Sequence, residues 1–178
     1  MQTSWEELLR PCLQRPDMQP EEIPNLDLYM DQIITLFESV FGDGKEKSIT
    51  KTMINNYSKD GVLRPIRGKK YSREHVLRIV LIYLLKPVLS IGQIKQLLEG
   101  LELEESELER QYRIYLERKP QMEQEVEGMV QRLAPEGTPE ETLLPLILSL
   151  AWISRCTGDM CSQLVEQALP TEKKAQMF

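Results

Sequence analysis

Apolar residues recur at helical intervals along most of the chain. Leu28, Ile33, Ile34, Phe37, Val40 and Phe41 share one face, and Gly42 follows as a stop signal. A loop is expected over the Gly-Asp-Gly-Lys-Glu-Lys stretch that begins at Gly42. A new helix is expected from Thr50. Met53, Ile54 and Tyr57 lie on its inner face, and Lys51, Asn55 and Lys59 lie at successive i+4 steps on its outer face. Gly61 suits its C-terminal cap, and Pro65 holds Arg64 extended beyond it. Residues 64–71 read as a small hairpin or loop. Ser72 caps the next helix, which is apolar nearly all round from Val76 to Leu85 and is expected at the centre of the fold. Pro87 ends it, and Ser90 with Gln93 forms a capping box for a further helix carrying Ile94, Leu97 and Leu98 inward.

The two ends of the chain are patterned differently. Residues 1–24 carry Pro11, Pro16, Pro20 and Pro24, and read as an N-terminal arm with a short helix over residues 4–10. In the last third, Leu101, Leu108, Tyr112, Tyr115 and Leu116 form one stripe, and Met122, Val126, Met129, Val130 and Leu133 form another. Pro120 and the Ala134-Pro135-Glu136-Gly137 stretch are expected to separate helices. Thr138-Pro139-Glu140-Glu141 is a helix start, with proline at the first helical position. Leu143 to Ile153 is strongly apolar and is expected to be buried, with Pro145 kinking it or delaying its start. The pattern predicts an all-α protein.

Composition narrows the function classes. The 178 residues include 28% charged and 6% aromatic residues, enough chain for one domain or two small ones sharing a core. No uncharged apolar run is long enough to span a bilayer. The first residues lack the basic patch and apolar core of a signal peptide, so a cytoplasmic protein with no membrane partner is expected. Cys12, Cys156 and Cys161 have no framework spacing, and reduced buried thiols are the simplest reading. A redox or metal sensor at Cys156 and Cys161 would need a second pair or a nearby histidine. His75 stands three residues after Ser72, the spacing of a nucleophile and base. Capping explains Ser72 fully, no aspartate is placed to orient the ring, and catalysis is not expected. No cofactor is expected.

Charge changes the picture most. The chain carries a net charge of −6, yet residues 45–78 hold ten Lys/Arg against three acids, a local excess of seven positive charges. A basic island in an acidic protein attracts a polyanion in one orientation. Lys51, Thr52, Asn55, Asn56 and Lys59 are the candidate base-reading face, because lysine offers donors to guanine or phosphate and asparagine pairs bidentately with adenine. Arg64, Arg67, Lys69, Lys70 and Arg73 are the candidate phosphate contacts, because a short loop places charge better than it places a planar fork. The plainer readings are a solvated helix face and, for Tyr57, a core position.

The order of helix, turn, polar-faced helix, basic loop, buried helix and capped helix resembles the winged helix-turn-helix of the MerR family of bacterial transcription regulators. Ile54, Tyr57, Lys59, Gly61, Leu63 and Pro65 fit the family's second helix and its exit, and Tyr71-Ser72 fits the end of its wing. Ser90-Ile91-Gly92-Gln93-Ile94-Lys95-Gln96-Leu97-Leu98 fits a later helix start. Asn55 and Asn56 stand where the family has Arg and Tyr, and Gly68-Lys69-Lys70 replaces its Gly-Tyr-Arg step. The chain is also similar to uncharacterised proteins of Gram-positive bacteria that form a domain of unknown function and share the stretch Thr50 to Tyr57.

The MerR resemblance covers about residues 28–100 and implies a DNA-binding domain over residues 25–100 in a bacterial transcription regulator that binds double-stranded DNA; no effector motif of the family is visible. Residues 101–178 read as a helical dimerisation or effector domain, or as helices that complete the core of the N-terminal half. A single short recognition helix makes a homodimer the expected form. Two other classes compete. The basic island could bind an acidic partner protein, or the region of Trp152 and Met160 could hold a small ligand.

Overall fold

A computed structural model of the chain describes residues 10–42, 48–66, 68–133 and 139–169. The expected helix over residues 4–10 lies almost wholly outside them, as do Lys45, Lys47 and Arg67; residues 10–13 are helical. The element order is a 3-10 turn at Pro20–Glu22, β1 at Leu28–Tyr29, α1 at Met30–Phe41, α2 at Lys51–Lys59 and β2 at Lys70–Tyr71. Then follow α3 at Arg73–Leu85, α4 at Ile91–Gly100, α5 at Glu105–Leu133 and α6 at Pro139–Ala168. The protein is mostly helical. Its one described sheet is an antiparallel pair, Leu28 opposite Tyr71 and Tyr29 opposite Lys70.

Local chemistry sets most boundaries. Thr50 Oγ1 accepts from the Met53 amide at 3.2 Å and starts α2. Gly61 ends that region at φ +70°, where a Cβ would be strained. The Gln93 side chain accepts from the Ser90 amide at 3.0 Å, and Ser90 Oγ accepts from the Gln93 amide at 3.2 Å, the two halves of a capping box.

α3 is the centre of the fold. Val76, Leu77, Ile79, Val80 and Ile82 are all buried, and the surrounding core takes in Phe37 of α1, Ile54 and Tyr57 of α2, and Ile94 and Leu98 of α4. Phe41 and Tyr83 meet at a tilt of 39° with ring centroids 4.5 Å apart, and Phe37 meets Tyr83 edge-on at 6.1 Å, which joins α1 to α3.

Three expectations are corrected by the packing. Residues 17–23 are not a free arm: Met18, Pro20 and Ile23 are buried in the same core. The Tyr112 hydroxyl donates to the Met18 carbonyl at 2.9 Å, and Asp17 pairs with Lys119. Leu108 and Tyr112 of α5 belong to the same core. Pro120 does not separate two helices, because α5 runs through it. Its missing amide removes one helical bond, and Pro120 is exposed, so water can serve the freed carbonyl.

A further correction concerns α6. Its C-terminal half packs on α4: Gln96 donates to the carbonyls of Val165 (3.3 Å) and Leu169, and Gly100 leaves room for the Leu169 side chain. Its N-terminal half was expected to be buried. Only one side is, through Leu146 and Thr142. Leu143, Leu144, Ile147, Leu148, Ala151 and Trp152 form a broad exposed stripe. The helix continues through Pro145. Among the described residues, no helix is long and apolar enough to cross a membrane.

Candidate nucleic-acid interface

α2 is amphipathic across its nine residues. Ile54 and Tyr57 are buried, whereas Lys51, Thr52, Asn55, Asn56 and Lys59 are all exposed. Burial pushes the Tyr57 phenol above its ordinary value, in keeping with a core position. The outer face thus carries two lysines, two amides and a hydroxyl. Lys51 pairs with Asp31 of α1 at 2.6 Å, but both side chains are well exposed, so the pair is weak and exchangeable.

The basic loop lies beside this face. β1 precedes α1 directly, so Tyr29 is two residues from Asp31, the partner of Lys51. Lys70 Nζ sits 5.6 Å from the centroid of the Tyr29 ring. The start of α2 and the end of the loop therefore meet at one point, the junction of β1 and α1. Gly68 and Lys69 both take positive φ, +59° and +61°, which turns the chain tightly into β2. Lys69 and Lys70 are exposed. The expected hairpin is not closed within the loop: its far strand pairs instead with β1, next to the first helix.

Not all of the basic residues are free to act. Arg73 is turned inward, with its side chain 16% exposed. Its guanidinium donates to the carbonyls of Pro20 (2.7 Å) and Ile23 and to Glu109 at 2.9 Å. It clamps the 17–23 segment to α5, and its donors are used within the fold. Arg78, which adds to the count of positive charge, is buried against Glu74 at 2.8 Å. Arg64 is intermediate. It pairs with the same Glu74 at 3.1 Å, yet 42% of its side chain is exposed. The described basic surface is therefore Lys51, Lys59, Arg64, Lys69 and Lys70.

His75 anchors the start of the loop. Its Nδ1 accepts from the Ser72 amide at 3.2 Å and lies 2.7 Å from Ser72 Oγ. Nε2 lies 3.1 Å from the Arg64 carbonyl, which can only accept, so Nε2 carries the proton there. The Ser72/His75 pair is a helix cap in which histidine fills the place usually held by Glu or Gln, and it ties the loop to α3. The carbonyl of Arg64, eleven residues upstream, has no signature in the sequence.

The three thiols are free, with Cys12 and Cys161 exposed and Cys156 half-buried, which corrects the expectation of buried thiols. Among the described residues, no group of three His, Cys, Asp or Glu side chains could hold a metal ion.

Residues 18–117 match DUF1836, a domain of unknown function. The chain belongs to this family. The match begins at buried Met18 and ends in α5 just beyond Leu116, so it takes in most of the core, whereas Val165 of α6, buried in the same core, lies beyond it. No curated protein and no solved structure matches the chain.

Proposed function

We propose that this protein is a DNA-binding transcription regulator with a winged helix-turn-helix of the MerR type, in which the outer face of α2 meets the major groove and the basic loop grips the backbone. The observation that carries this reading is the composition of the exposed α2 face. Lys51, Thr52, Asn55, Asn56 and Lys59 offer donors and acceptors with net positive charge, and α2 itself carries no acid, the one beside Lys51 being Asp31 of α1. The loop residues Lys69 and Lys70, with Arg64 and Arg67, supply charge without sequence information. The acidic remainder of the chain keeps the other surfaces away from phosphate.

A single nine-residue helix reads few bases, and two-fold pairing on a palindromic site is the usual remedy. The second copy would pair through the α6 stripe. Leu143, Leu144, Ile147, Leu148 and Trp152 expose on the order of 600 Å² per chain, so pairing would bury about 1,200 Å², the lower end of stable interfaces. Residues 142–154 carry no charge, so the −6 of each copy does not oppose contact there.

The test is the salt dependence of binding to a duplex of mixed sequence. Counterion release predicts a linear fall of log affinity with log salt, with a slope reflecting several phosphates. Replacing Arg67, Lys69 and Lys70 with glutamine should weaken binding to every duplex and flatten that slope. An unchanged slope in the triple variant removes the loop from the interface. Absence of duplex binding with retained affinity for an acidic protein would replace DNA by a protein partner.

A further inference from the structure

A cavity of about 520 Å³ opens between the last turns of α3, the end of α4 and the first half of α5. Leu84 and Leu85, Leu97 and Leu101, and Tyr112 and Tyr115 form its three walls, and Leu98 and Leu108 are buried at its base. It does not touch the exposed α2 face or the α6 stripe. We propose that this cavity binds an uncharged, hydrocarbon-rich small molecule, such as an aromatic hydrocarbon or a medium-chain alcohol.

Three observations set the class of ligand. First, among the described residues no charged side chain lines the cavity, so neither an acid nor an amine finds a counter-ion there. Second, its polar groups already have partners. The Tyr112 hydroxyl donates to the Met18 carbonyl at 2.9 Å, Gln111 donates to Glu107 at 2.8 Å, and the Tyr115 hydroxyl bonds Asp17 at 3.4 Å. Nothing in the lining calls for a polar guest, and a ligand with buried donors would lose its own hydrogen bonds to water. Third, the volume lies within the range of small-molecule sites, roughly 300–1,000 Å³. The cavity is large enough for a ligand of modest size.

The site stands whether or not the chain binds DNA. The experiment is a fluorescence titration of the full chain with N-phenylnaphthylamine, a neutral apolar dye, with its sulfonated relative in parallel. The expected result is saturable one-to-one binding of the neutral dye and weaker binding of the anion. Leu84→Trp, which fills the cavity, should weaken the neutral dye about tenfold or more. Leu148→Ser, on the α6 stripe, should leave it unchanged. If Leu84→Trp does not fold, as judged by circular dichroism, Leu101→Arg at the exposed rim serves the same purpose. No saturable binding, tighter binding of the anion, or loss of the dye in Leu148→Ser with retention in the cavity variant would overturn the proposal.

Discussion

α3 and the first half of α6 are equally apolar by sequence and differ in what covers them. In α3, Val76, Leu77, Ile79, Val80 and Ile82 are enclosed on every side by α1, α2, α4 and the start of α5. In α6, Leu144 and Trp152 remain 65% and 67% exposed, although thirteen consecutive residues around them carry no charge. A run of apolar residues states that a segment will be covered. It does not state by what. For α3 the cover lies within the same chain. For α6 a contiguous exposed patch on the order of 600 Å² reaches the upper end of what single chains usually carry, which points to another molecule.

The comparison breaks most sharply in stability. Ile79→Ala removes a side chain of 0% exposure and leaves a cavity, and should cost about 2–5 kcal/mol in urea unfolding. Leu144→Ala, at a chain concentration where only monomer is present, should stay within about 0.5 kcal/mol of the parent. Equal costs at the two positions would mean that the α6 stripe is covered within its own chain.

Next in size is the clamp at Arg73. It was a candidate phosphate contact by sequence, yet it holds the carbonyls of Pro20 and Ile23 and the Glu109 carboxylate. Arg73→Met should lower stability by about 1.5–3 kcal/mol, the worth of hydrogen bonds to a charged group. It should leave duplex affinity of the folded fraction unchanged, unlike the loop variant. A lost affinity with full stability would return Arg73 to the interface.

Much of this was legible in the residues. Thr50, Gly61, Ser72 and Ser90 mark helix boundaries through capping rules that act within four residues, so no knowledge of the rest of the chain is required. The polar outer face of α2 follows from its period alone. What was not legible depends on distant partners. The prolines of the first 24 residues read as an arm, because nothing local reveals that Met18 and Ile23 fill the gap between α3 and α5. Arg73 and Lys70 look alike in a basic run, and only partners distant in sequence, Glu109 and the carbonyls of Pro20 and Ile23, turn one of them inward. Pro120 breaks a local rule that an exposed position in a long helix can absorb.

A smaller effect concerns acid. Burial raises the Glu109 carboxyl, but hydrogen bonds from Arg113 and Arg73 outweigh it and hold the group below its ordinary 4.5. Glu21, bonded to the same Arg113, is lowered as well. A carboxyl lowered in the folded state contributes stability fully above its unfolded value and loses it as pH falls through the folded one. The melting temperature should therefore drop as pH is lowered below about 4.5, and Glu109→Gln should make that drop shallower. An identical pH profile in the variant would place the acid sensitivity elsewhere, outside the clamp that ties the 17–23 segment to α5.

The measurement that tests the functional account most directly is selection of bound fragments from a random duplex library by the full chain. The account predicts enrichment of a palindrome whose half-sites lie about 10 base pairs apart or a multiple of that, as two α2 helices related by a two-fold axis require. Asn55→Ala should relax preference at one position of each half-site, at a cost of about 1–3 kcal/mol. A library that emerges without enrichment, or with a motif unchanged by Asn55→Ala, would contradict it.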